Sequence, residues 1–262
     1  MKFLYAGIIF LVCSGAAVPE QTGSQLPHYD YVAYQAGEKL VFNMHYGIIN
    51  AGEAVMEVKK DLKTISGKSH YDILISGRSY SAFDPFYKVR DYYESFIDVN
   101  TLLPRVFLRE VNEDKYHKTE SYIFDRQKNV VISKKIKHPV NAGMQDIISA
   151  FYYLRCIDFS KQPVGAYFPI TAYMDDSLFP LGVKYTGTAI IDLPIGKISC
   201  YVFKPKLIKG RIFSNQDDMT LYVSKDKNQI PVRVESAILV GSVKADLISY
   251  EGLKYPFTAK VR

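Results

Sequence analysis

The chain has 262 residues, with 33 basic and 27 acidic side chains giving a net charge of +6. That length is ample for a self-sufficient hydrophobic core, and the charge is mild and spread along the chain. Nothing in the composition concentrates a nucleic-acid footprint.

The first 17 residues read as an export signal. Lys2 supplies a positive start, Phe3 to Val12 form an apolar run, and Ser14-Gly15-Ala16-Ala17 offers the small residues of a cleavage site. The run is too short to span a bilayer, which takes about 20 apolar residues, and no later segment is apolar enough to do so. The expected location is therefore the periplasm, which excludes nucleic acid as a partner. Lipidation at Cys13 is the lesser reading, because Phe10-Leu11-Val12 precedes it where a lipobox wants a small residue.

Residues 18–36 are polar and mixed and read as a linker, with one β-rich domain expected over 37–262. Leu40, Phe42, Met44 and Tyr46 alternate with Val41, Asn43 and His45, and alternation resumes at Ala54, Met56 and Val58. This predicts a hairpin whose bend is relieved by Gly47 and Gly52. Tyr71, Ile73 and Ile75 mark a third strand. From Arg78 to Phe96 the chain is crowded with aromatics, and Asp84-Pro85 forces a turn within it. Strand signals return at 105–111, 116–124 and 130–132.

Gln145 to Arg155 breaks the pattern. Ile147, Ile148, Phe151, Tyr152 and Leu154 fall at helical spacing, and Asp146 is placed to cap the start. Strands resume at 167–174, 183–192, 198–203, 219–223, 230–239 and 242–250, with a tight turn or bulge at Val240-Gly241. The fold class is all-β with one short helix: a large, strongly curved antiparallel sheet forming an open or spiral barrel.

No catalytic motif stands out. The histidines His28, His45, His70, His117 and His138 show no metal-ligand spacing, and no metal or cofactor is assigned. Asp175-Asp176 and Asp217-Asp218 read as loop residues, since neighbours on an extended chain point to opposite faces. Ser149 reads as a helix-packing residue. Lys134-Lys135-Ile136-Lys137-His138 is the densest basic run and reads as a solvated strand end, with contact to anionic lipid or polysaccharide as its other reading. Cys156 and Cys200 either close a disulfide, worth roughly 3–4 kcal/mol by the chain-entropy model, or remain two buried thiols.

Three stretches together resemble the domain of unknown function 3108 family: Gly37-Glu38-Lys39-Leu40 with 47–54, then the helix segment Asp146-Ile147-Ile148-Ser149-Ala150-Phe151-Tyr152-Tyr153-Leu154-Arg155, then 230–234 with 241–247. The resemblance implies an exported envelope protein of Gram-negative bacteria with a curved half-barrel like that of periplasmic lipoprotein carriers, and it supplies no catalytic residues. The leading functional expectation is a non-enzymatic, monomeric binding or envelope-maintenance protein holding a lipid, lipoprotein segment or peptide in its concave face. Phe151, Tyr152 and Arg155 of the helix, with Tyr87 and Tyr93 of the aromatic stretch, are the candidate binding residues. The alternatives are an interaction module that pairs its strand edges with envelope proteins, and a hydrolase with a dispersed site.

Overall fold

The computed structural model describes residues 29–141, 143–205, 219–237 and 242–261. The export segment, the first part of the expected linker, Asp217-Asp218 and the Val240-Gly241 step lie outside the described residues. Fifteen antiparallel strands form one sheet. In chain order they are β1 (Lys39–Tyr46), β2 (Ile49–Val58), β3 (Lys63–Ile65), β4 (Lys68–Ser79), β5 (Arg90–Asp98), β6 (Pro104–Glu113), β7 (Tyr116–Asp125), β8 (Val130–Ile132) and β9 (Lys137–Pro139). After the helix α1 (Ile147–Leu154) come β10 (Tyr167–Met174), β11 (Ser177–Leu193), β12 (Gly196–Pro205), β13 (Met219–Ser224), β14 (Pro231–Ala237) and β15 (Ser242–Glu251).

The spatial order is β10-β11-β12-β13-β14-β15-β1-β2-β4-β5-β6-β7-β8-β9, with β3 paired only to β4. Neighbours in the sheet are mostly neighbours in sequence; β15 returns to pair with β1, and the long connection from β9 to β10, which carries α1, runs between the two ends of the sheet. The sheet curls without closing into a barrel. Leu40, Phe42 and Met44 of β1, Ala54, Met56 and Val58 of β2, and Tyr93, Ser95 and Ile97 of β5 are buried, as period-2 alternation on a one-sided sheet requires.

The two ends of the sheet meet through side chains. The β10–β11 hairpin turns on Asp175 and Asp176, at φ +53° and +55°, the pair of positive angles a two-residue type I′ turn demands. Asp175 accepts from Arg109 of β6 at 3.1 Å and pairs with Lys118 of β7. Arg109 is almost wholly buried and also pairs with Glu120 at 3.0 Å. The backbone N–H of Asp176 donates to the Tyr122 hydroxyl at 3.2 Å. Gln145 covers part of the β10 edge, taking a bridge between Thr171 and Tyr173. So a side-chain seam does what a ladder would do in a closed barrel.

Several expectations change. Gly47, at φ +55°, does form the β1–β2 turn, but Gly52 lies inside β2, where a Cβ would collide with the Arg78 carbonyl of β4. Its role is close strand approach. Residues 29–36 pack against the body of the protein through Ala33 and Tyr34, which are fully buried: the Asp30 backbone N–H donates to the Cys156 carbonyl and Tyr34 stacks edge-on with Tyr152. The aromatic stretch contains a full strand, β5.

The disulfide reading is corrected. Cys156 and Cys200 are separate, buried thiols, one following α1 and the other within β12. Burial pushes their pKa values up, to about 11 and about 12, so neither thiolate forms near neutral pH. Adding dithiothreitol should therefore leave the melting temperature unchanged, as read by circular dichroism; a drop of several degrees would mean a bond is present.

Candidate binding cavity

The helix forms because its start is specified by side chains. Asp146 accepts from the Ser149 N–H at 2.8 Å while Ser149 Oγ accepts from the Asp146 N–H at 2.9 Å, a reciprocal capping box. Ser95 of β5 donates to the same Asp146 carboxylate at 2.6 Å, tying the cap to the sheet. Ser149 is thus a capping residue. Burial raises the Asp146 pKa, to about 6, against the lowering effect of its hydrogen bonds.

The other end is held by charge. Arg155, the C-cap, makes a bidentate pair with Glu38 at the start of β1, at 2.6 and 2.8 Å, with both side chains almost completely buried. Its guanidinium also donates to the Asn228 carbonyl at 3.0 Å and lies 5.0 Å from the Tyr152 ring and 5.7 Å from the Tyr34 ring. Gln229 donates to the Arg155 carbonyl, satisfying an end of the helix backbone. Burial acts to lower the Arg155 pKa, but Glu38 overrides it and holds it above the usual range.

Between α1 and the concave face of the sheet lies a cavity of about 260 Å³. Its floor is Ile147, Ala150, Phe151 and Leu154 of α1, with Arg155 beside them. Its walls climb β1, β2 and β4 on one side through Phe42, Met56 and Ile75, and β11 to β15 on the other, as far as Pro205 and Met219 at their strand ends. Among the described residues Arg155 is the one charged lining side chain, and no lining residue is His, Ser, Asp, Glu or Cys. Such walls give water almost nothing to bond.

Of the sequence candidates, Phe151 and Arg155 line the cavity. Tyr152, on the same helix, is fully buried between Tyr34 and Arg155 and supports the floor from behind. Tyr87 and Tyr93 belong elsewhere. The Tyr87 hydroxyl donates to Glu113 at 3.0 Å, and the Tyr93 ring lies 5.5 Å from the Arg109 guanidinium, in a polar group beneath the β6–β7 hairpin. Burial, with the nearby Glu113 carboxylate, raises the pKa of Asp91 in that group, to about 7. Sequence reasoning missed Glu38, whose only signal was its place in the Gly37-Glu38-Lys39-Leu40 motif. It also missed the wall residues of β11 and β13.

Two predictions follow from the helix ends. Removing one partner of a buried pair leaves the other uncompensated, so Glu38→Ala should cost about 3–5 kcal/mol in denaturant unfolding. Combining it with Arg155→Met should recover part of that loss; strictly additive losses would contradict the coupling. At the other end, an acid whose folded pKa is raised favours the folded state as pH falls through that value. Between pH 7 and pH 4 the wild type should gain stability relative to Asp146→Asn, and a constant difference in melting temperature would contradict the buried carboxyl.

The family model described as Protein of unknown function (DUF3108) matches residues 41–248. No curated protein matches the chain. Among solved structures, the beta-barrel-like protein of Domain of Unknown Function DUF1849 from Brucella abortus superposes with a TM-score of 0.54 at 12% identity, covering 84% of this chain and 100% of that one. A candidate exported protein with a YmcC-like fold from Bacteroides fragilis gives 0.36 at 11% identity, over 86% of this chain and 100% of its own. A candidate lipoprotein from Parabacteroides distasonis gives 0.36 at 12%, over 87% and 100%. The Brucella likeness extends to the fold alone, the all-β barrel-like sheet described above. With the capped helix and nearly all of the sheet inside the matched span, the chain belongs to the DUF3108 family of proteins of unknown function.

Proposed function

We propose that this protein is a non-enzymatic carrier or binder of an acyl chain, from a lipid or a lipoprotein, working in the periplasm, the location expected from its N-terminal sequence. The observation that carries this reading is the cavity between α1 and the sheet: among the described residues its lining is apolar apart from Arg155, whose charge Glu38 neutralises. At about 24 cal/mol per Å³, an empty core void of this size would cost about 6 kcal/mol, an upper bound for a cleft with an open end. An acyl chain recovers roughly 0.8 kcal/mol per buried methylene, so about eight methylenes offset that cost.

The same walls disfavour the alternatives. A peptide would bring backbone N–H and C=O groups against apolar side chains that cannot bond them. A hydrolase needs a nucleophile and a base within reach of the substrate, and the lining residues described supply neither. Strand-edge pairing loses support because Gln145 already occupies part of the β10 edge.

Because Arg155 is engaged by Glu38 and Asn228, it is not free for a ligand carboxylate. The ligand therefore enters tail-first, its polar end left at the strand ends around Pro205 and Met219. A dansyl-labelled fatty acid added to the full chain should brighten on binding and be displaced by palmitate. Val234 lines the cavity and is only half-buried, so Val234→Trp should fill space without unfolding the sheet. The variant should weaken probe binding by at least about tenfold, equivalent to about 1.4 kcal/mol, at an unchanged melting temperature. No brightening by the wild type, or equal affinity in the folded variant, would overturn the reading.

A further inference from the structure

The strand ends at the Pro205 and Met219 end of the cavity carry apolar side chains that no core explains. Ile48, at the tip of the β1–β2 hairpin, is 99% exposed, and its neighbour Ile49 is exposed as well. Phe86, in the connection between β4 and β5, is 66% exposed. Tyr116, opening β7, and Ile136, between β8 and β9, are also exposed. Isolated apolar residues on a surface are ordinary; several on successive loop tips of one rim are not.

Contacts between neighbouring tips put them on one rim. The Tyr80 N–H donates to the Ala51 carbonyl, joining the Phe86 loop to the β1–β2 hairpin. The Asp114 N–H donates to the Lys88 carbonyl, joining that loop to the β6–β7 tip. Lys118 pairs with Asp175, joining β7 to the β10–β11 tip, and Lys135 pairs with Asp176 at 3.5 Å, joining that tip to the β8–β9 connection. In register, the same rim continues from Tyr46 and Val243 to Ser236 and Met219, at the upper wall of the cavity.

The charges on this rim are unequal in their freedom. Its carboxylates are mostly engaged: Glu53 by Arg78, Asp84 by Arg90, Asp175 by Arg109 and Lys118, Asp176 by Lys135, and Glu113 by the Tyr87 hydroxyl, leaving Asp114 exposed. Lys88, Lys115, Lys134 and Lys137 are exposed and reach no carboxylate at ion-pair distance among the described residues. Apolar tips flanked by unpaired lysines match a surface that is apolar below and anionic above.

From the exposed Ile48, Ile49 and Phe86 tips and the unpaired lysines around them, we infer that this rim docks on an anionic membrane surface, bringing the Pro205 and Met219 end of the cavity toward the lipid. The inference extends the acyl-chain reading, and the two fail separately: probe uptake in solution reads the cavity, and vesicle binding reads the rim. The chain lacking residues 1–17, the expected export signal, is floated with phosphatidylcholine vesicles prepared with and without phosphatidylglycerol.

The wild type should partition onto the anionic vesicles at least about tenfold more than onto the neutral ones. The double variant Ile48→Asp with Ile49→Asp changes only exposed positions, so it should keep its melting temperature and its uptake of the dansyl probe while losing vesicle binding. Lys88→Glu with Lys134→Glu should reduce partitioning at low salt. Absence of wild-type flotation, equal flotation with both vesicle types, or flotation unaffected by the isoleucine variant would each overturn the inference. A concentration-dependent dimer that the isoleucine variant abolishes would assign the rim to a second copy of the chain and overturn it too. Flotation with no probe uptake would leave the rim assignment standing and remove the acyl-chain reading.

Discussion

The arrangement of the cavity depends on one buried ion pair, Glu38 with Arg155. Taking two charges out of water is costly, and the cost is offset only where geometry is good and the remaining protons are bonded. Here the guanidinium meets the carboxylate bidentately, donates again to the Asn228 carbonyl, and lies against the Tyr34 and Tyr152 rings. The pair joins residues 117 positions apart, the entry to β1 and the end of α1. It therefore fixes where the helix lies under the sheet and neutralises Arg155, the one cation that lines the cavity among the described residues.

The rest of the interior follows from that placement. The capping box and Ser95 hold the start of α1 against β5, and Arg155 holds its end against β1 and the β13–β14 turn. An eight-residue helix held at both ends covers the lower part of the concave face and leaves the upper part lined but unfilled. Interiors normally pack to crystal-like density, so a void walled by Phe, Ile, Leu and Val is a departure from ordinary packing, and it is the feature on which the proposed acyl-chain binding rests. The Asp175 seam keeps the walls together without a closed ladder, so the sheet ends are joined by side chains that bond more adjustably than strands do.

Much of this architecture was legible in local sequence. Alternation located most of the strands, and the 3.6-residue spacing after Asp146 located the helix and its cap. Two strands were obscured by composition. In β5 the aromatics at Tyr92, Tyr93 and Phe96 masked a simple in-out alternation, and β11 was expected only over 183–192, although Pro180 and Gly182 already pair with Thr171 and Pro169 of β10. Of the candidate site residues, Phe151 and Arg155 were found because the helix was found, and Tyr152 proved to be support behind them. Tyr87 and Tyr93 were drawn in by aromatic density, yet they belong to a separate polar group around Arg109. What sequence could not reveal were the long-range pairings: Glu38 with Arg155, and Asp175 with Arg109, each brought together only when a curved sheet folds back on itself.

The central claim is that the space above α1 receives an acyl chain. Its most direct measurement is the set of intermolecular nuclear Overhauser effects between the full chain and ¹³C-labelled palmitate. The account predicts contacts from the chain methylenes to the Phe151 ring and to the methyl groups of Leu221 and Val234, with the carboxyl end remote from Arg155. Contacts confined to the outer surface, or a carboxylate seated on Arg155 in place of Glu38, would contradict it.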